Sequence, residues 1–151
     1  MVTKIKFNCV MEVDRSSASL ATIGGRSVRL ALVQDTQCNG VAALPADPWT
    51  ADNSIAFQTL IKMGRFRVLK EKTVWIENNG LMFDTEYRQA PGTKVVKLSY
   101  TPKAPIRINF NETNNEAVSA IVDNNFFIVA CTPASEVYIL EGRCRVSFKD
   151  I

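Results

Sequence analysis

The sequence predicts an all-β domain of sandwich or barrel type with one short helix. Three observations point there. Apolar and polar residues alternate with a period of two through most apolar segments, the spacing of a strand with one face in a core. Proline, glycine and asparagine punctuate the stretches between them, as expected where ladders end. Only one segment carries helix-like spacing, whereas a parallel sheet needs a helix after nearly every strand.

Residues 4–13 place Ile5, Phe7, Cys9 and Met11 on one face and Lys4, Lys6 and Asn8 on the other, which predicts a half-buried strand. Residues 27–35 predict a second, with Val28, Leu30 and Leu32 inward and Arg29 outward. The polar turn 36–40 follows, where Asn39-Gly40 tolerates positive φ. Residues 41–53 predict a loop broken by Pro45 and Pro48. Within 53–63 a short helix is expected: Asp52 or Ser54 caps it, Ile55, Leu60 and Ile61 form its apolar side, and Gly64 ends it. The remaining strand candidates are Arg65–Ile76, Thr93–Tyr100, Ile106–Phe110, Asn125–Cys131 and Val137–Phe148. The last sets Arg143, Arg145 and Lys149 against Cys144, Val146 and Phe148, which are expected to face the core. The 151 residues are read as one domain with no internal repeat.

Composition narrows the function classes. The chain contains no histidine, which removes Ser-His-Asp and Cys-His nucleophile pairs and the usual general base near neutral pH. Its acidic residues are dispersed, without a glycosidase-like pair. No catalytic residue, metal or cofactor is expected. Cys9, Cys38, Cys131 and Cys144 include no C-x-x-C pair; such thiols read as small hydrophobes rather than zinc ligands. No apolar run reaches the roughly 20 residues of a membrane span, and Met1–Asn8 lacks the apolar core of a secretory signal. A net charge of +3 permits contact with phosphate without requiring it.

Asn111-Glu-Thr113 matches a glycosylation sequon, a triplet common by chance. Residues 63–72 interleave basic and apolar positions; this describes either a strand with one solvated face or a phosphate-contacting one. Arg143, Arg145 and Lys149 have the same two readings. Trp49 and Trp75 suit base stacking or, more commonly, core and interface anchoring.

Taken in order, several segments resemble the coat proteins of geminiviruses and related circular single-stranded-DNA viruses. Val28–Gly40 is similar to that family's "LV-x-D" strand and polar turn, and Arg65–Lys70 matches its "RF-x-VL" plus a basic residue. Asp123–Ser135 resembles the "ACT-x-AS" strand and turn, and Val137-Tyr138 with Arg143–Asp150 resembles the closing strand. The resemblance covers most of residues 27–151. It implies a viral jelly-roll β-sandwich that self-assembles into an icosahedral T=1 shell and encapsidates a single-stranded DNA genome. It further implies a virion component, assembled in the host nucleus, without membrane insertion. The family's basic arm and first strand have no counterpart here, so residues 4–13 read as its second strand.

On that reading Arg29, Arg107, Arg143, Arg145 and Lys149 are the candidate nucleic-acid contacts. Pro45–Trp49 and Leu81–Tyr87, with Trp49, Phe83 and Tyr87 foremost, are the candidate subunit contacts. Shell proteins bury loop surface against neighbours, so exposed apolar loops are expected on the isolated chain. The alternative is a cellular β-sandwich binding module forming a small oligomer, recognisable by a concave pocket.

Overall fold

A computed structural model describes residues 1–13, 26–44, 46–51, 54–76, 79–83, 86–90, 93–111, 120–132 and 137–149. The side chains of Val13, Arg26 and residues 79–83, 86–90 and 137–140 lie outside that description. The strands are β1 (Val2–Val13), β2 (Arg26–Asp35), β3 (Phe66–Ile76), β4 (Asn79–Phe83), β5 (Glu86–Ala90), β6 (Thr93–Tyr100), β7 (Asn109–Phe110), β8 (Ile121–Asp123), β9 (Asn125–Cys131) and β10 (Val137–Phe148). All ladders are antiparallel.

Two three-stranded sheets, ordered β10-β1-β6 and β3-β2-β9, form the sandwich. The alternation explains why they face each other. Phe7, Cys9 and Met11 of β1 and Val96 and Leu98 of β6 close on Val28 and Leu30 of β2 and Val74 and Ile76 of β3. Each large aliphatic side chain removed from water there contributes about 1.5–3 kcal/mol. A smaller cluster of Val2, Ile5 and Leu32 extends this core to one end. The other face of β2 is also covered. Ala31 and Val33 pack with Trp49, Ala56, Phe66 and Val129 beneath the loop that joins β2 to β3. The architecture is therefore sheet, sheet and loop.

That loop contains the expected helix, and there is none: the described residues of 53–63 form turns and an isolated bridge. The reason is a competing pairing. Trp49 bridges Gln58, with Thr50 N–H donating to the Phe57 carbonyl at 2.9 Å and Thr59 N–H to the Pro48 carbonyl at 2.9 Å. These bonds hold 57–59 extended along 48–50, which is incompatible with an i to i−4 ladder through the same residues. The Ile106–Phe110 strand is likewise shortened to a bridge from Ile106 to Val2 and the two residues of β7.

The motifs that carry the family resemblance turn out to pin the chain. Arg65 Nε and Nη2 donate to the two Asp35 carboxylate oxygens at 2.9 and 2.8 Å, closing the long loop where β2 ends and β3 begins. The Asp35 side chain is only 1% exposed, and the Gln37 N–H also donates to it. The Asp35 hydrogen bond raises the Arg65 pKa further, so the pair stays charged. Asp123 and Asn124 pin the turn from β8 to β9. Asn124 takes a φ of 57°, a left-handed conformation that asparagine tolerates better than most residues. Its amide accepts from Gln34 at 2.7 Å and donates to the Arg107 carbonyl at 2.9 Å. Gly40, at φ 79°, supplies the positive φ expected in the 36–40 turn.

A second ion pair holds the loop down. Lys62 Nζ donates to Asp47 at 2.7 Å, and Asp47 also accepts the Leu44 N–H at 2.8 Å. Burial alone pushes the Asp47 carboxyl up, but Lys62, the Leu44 N–H and the nearby Arg65 charge outweigh it and leave the pKa below 3.8. A carboxylate depressed on folding stabilises above its unfolded pKa, and that stability is lost as pH falls through the folded value. Asp47→Asn is therefore expected to cost about 0.5 kcal/mol at pH 7, in keeping with a partly exposed pair. Denaturation at stepped pH checks this: the difference from wild type should vanish below pH 3.8.

Candidate nucleic-acid and subunit-contact surfaces

The outward face of the β10-β1-β6 sheet is basic. Residues directly opposite across an antiparallel ladder share a face. Lys6 sits opposite Arg145 on one side and Ser99 on the other, and Asn8 sits between Arg143 and Lys97. Lys6, Lys97, Arg143 and Arg145 are all exposed. Only Arg143 has a printed carboxylate partner among them, Glu141 at 2.8 Å. The Lys6–Arg145 pair places like charges directly opposite, an arrangement that costs roughly 0.2–1 kcal/mol. A face that carries such a cost is suited to an anion lying across it.

Of the sequence candidates, Arg143 and Arg145 belong to this face. Lys149 is exposed just beyond β10, its N–H and carbonyl tied to Met1. Arg107 is exposed on the segment that bridges to Val2, outside the two cation rows. Arg29 lies elsewhere. It points outward from β2 as the alternation requires, but the β2–β3 loop covers it, leaving the side chain 12% exposed. Its guanidinium stacks over Trp49 at 5.3 Å and donates to the Ala56 carbonyl at 2.7 Å, with Glu71 at 4.0 Å. Arg29 thus braces the loop and stands on the opposite sheet from Arg143 and Arg145.

Lys6 and Lys97 are the residues that sequence reasoning did not place in the site. Their outward alternation is visible locally, but the pairing of β1 with β6 and β10 that groups them is not.

Trp49 is 2% exposed and packs inside the chain with Ala31, Val33 and Phe66, so it supports the loop from beneath. Phe83 and Tyr87 fall in the β4–β5 hairpin, opposite Glu86 and Met82 respectively; their side chains lie outside the described residues. The apolar surface is instead the upper side of the β2–β3 loop. Ile55, Phe57, Leu60 and Ile61 are 80–93% exposed, and Val41 and Leu44 continue the patch. An open cleft of about 550 Å³ runs beside it, walled by Arg29, Trp49, Phe57, Gln58, Lys70 and Glu71.

The final strand also differs from expectation. Cys144, Val146 and Phe148 sit on the core side, opposite Phe7, Ile5 and Val2. Yet all three are exposed, Phe148 at 65%. The opposing sheet packs against β1 and β6, and β10 contributes none of its described residues to a core cluster.

Burial raises the thiol pKa values of Cys9 and Cys38, which disfavours the thiolate that nucleophilic chemistry requires. Among the described residues, no group of three or more acidic or cysteine side chains is placed to hold a metal. Compared with known proteins, the chain matches no family model and no curated sequence.

Proposed function

We propose that this chain is the shell domain of a coat protein that self-assembles into an icosahedral particle and encapsidates a single-stranded DNA genome. The observation that carries the reading is the concentration of exposed aliphatic and aromatic side chains on one pinned loop, Ile55 to Ile61. A loop held from below by Trp49, Arg29 and the Asp47–Lys62 pair presents those side chains in a defined arrangement. Defined apolar surface of that kind marks contact between proteins.

Strand order supports the finer fold reading. A jelly roll has two facing sheets ordered B-I-D-G and C-H-E-F, built from two Greek keys. Here β10-β1-β6 follows I-D-G and β9-β2-β3 follows H-E-F. The same assignment keeps chain order, with β1, β2, β3, β6, β9 and β10 as D, E, F, G, H and I. On it β1 takes the place of the third strand rather than the second, and no strand among the described residues stands at B or C.

The basic face supports the cargo reading, because a packaging surface must offset phosphate charge. The test is the double variant Arg143→Gln, Arg145→Gln, scored for particle yield and encapsidated nucleic acid. The expected result is normal particles with reduced nucleic acid, and a weaker salt dependence of DNA binding by about two phosphate contacts. Normal particles with normal content refute the cargo role. Failure to assemble assigns the arginines to a subunit contact.

A further inference from the structure

The flank of the sandwich at β10 is unfinished. β10 is twelve residues long and terminates its sheet, so one row of its backbone donors and acceptors has no ladder partner among the described residues. Edges of this length are normally shortened, bulged, covered or paired. The side chains on its core side, Cys144, Val146 and Phe148, are uncovered as well. An open ladder and an open apolar row on one strand are both closed by a single added strand.

We propose that the free edge of β10 is a strand-addition site for an acidic extended segment of a separate polypeptide, alternating apolar residues with carboxylates. The alternation follows from β10 itself. Apolar positions of the added strand cover Val146 and Phe148, and the intervening positions stand beside Arg143 and Arg145 on the outer face. Glu141 already accepts from Arg143, whereas Arg145 stands against Lys6. A carboxylate next to Arg145 relieves that like-charge row.

Charge also selects against a second copy of this chain as the donor. Pairing β10 with its own copy sets arginine against arginine. The other edges are no better: β3 carries Arg67, Lys70 and Lys72, β6 carries Lys94 and Lys97, and β9 has no charged residue. This inference goes beyond the shell reading and does not rest on assembly. It uses the main chain of β10, while the cargo surface uses side chains across all three strands.

The experiment uses fluorescent peptides of about eight residues, a normal strand length, at physiological salt. One alternates valine and glutamate, a second replaces glutamate with lysine, and a third scrambles the alternation of the first. The valine–glutamate peptide should bind roughly fivefold tighter than either control, the effect of two exposed ion pairs. Hydrogen exchange of the complex should show protection at 141–148. Arg145→Glu should reverse the order of the glutamate and lysine peptides, and Arg145→Gln should abolish it, should the reversed charge prevent folding. Equal binding of the peptides, no binding, or protection confined to the 55–61 loop overturns the proposal. So does protection of β10 by self-association before any peptide is added.

Discussion

Asp35→Ala is expected to lower stability by about 3–5 kcal/mol, the cost of breaking a buried pair by removing one partner. The carboxylate is nearly inaccessible and accepts both prongs of Arg65 together with the Gln37 N–H. Its loss leaves the Arg65 cation without its bidentate partner at the one place where the β2–β3 loop is cinched shut. Arg65 also stacks over Phe66 at 4.7 Å and its carbonyl accepts from Thr36, so the disturbance reaches the cluster beneath the loop. Since whole domains are stable by only about 5–15 kcal/mol, the variant should unfold at markedly lower denaturant. The double replacement Asp35→Leu, Arg65→Met should recover part of the loss, because paired apolar substitutions avoid stranding a charge. A single-variant cost under about 1 kcal/mol would show that the clamp contributes little.

The second large effect concerns association rather than folding. Replacing Ile55, Phe57, Leu60 and Ile61 together by serine should leave a folded chain, because exposed positions tolerate substitution within about 0.5 kcal/mol each. The same change removes the apolar surface that assembly buries. At roughly 1.5 kcal/mol for each side chain, the loss per contact is about 6 kcal/mol, on the order of ten-thousandfold in the association constant. Sedimentation should find soluble monomer in place of particles, with an unchanged circular dichroism spectrum. Particles formed by the fourfold variant at normal yield would remove this loop from the assembly surface.

Strands were legible wherever one face is apolar and the other polar. Thr93–Tyr100, Asn125–Cys131 and Val137–Phe148 have the bounds that alternation predicts. The β4–β5 hairpin was read as loop, because Asn79–Phe83 and Glu86–Ala90 are short and lack a period-two apolar set. The 53–63 segment shows a different limit. Ile55, Leu60 and Ile61 have the spacing of a buried helical stripe, but spacing cannot distinguish surface buried by the same chain from surface left open. Their exposure is the more informative result.

The same limit divides the candidate site. Alternation put Arg143 and Arg145 on one face, as observed, and Arg29 outward, also as observed. It carried no information about the loop that folds back over Arg29, nor about β1 joining residues near both ends of the chain. Lys6, Arg145 and Lys97 come together only through those ladders. Conversely, Asp35, Arg65 and Asn124 sit in the motifs of the viral resemblance, and their role here is structural: they pin the loop and the turn.

Negative-stain imaging of the purified chain tests the central proposal most directly. Uniform round particles, collapsing to monomer on substitution of the 55–61 loop, are the predicted result. A chain that stays strictly monomeric at high concentration, with no contact above about 800 Å² in total, contradicts it.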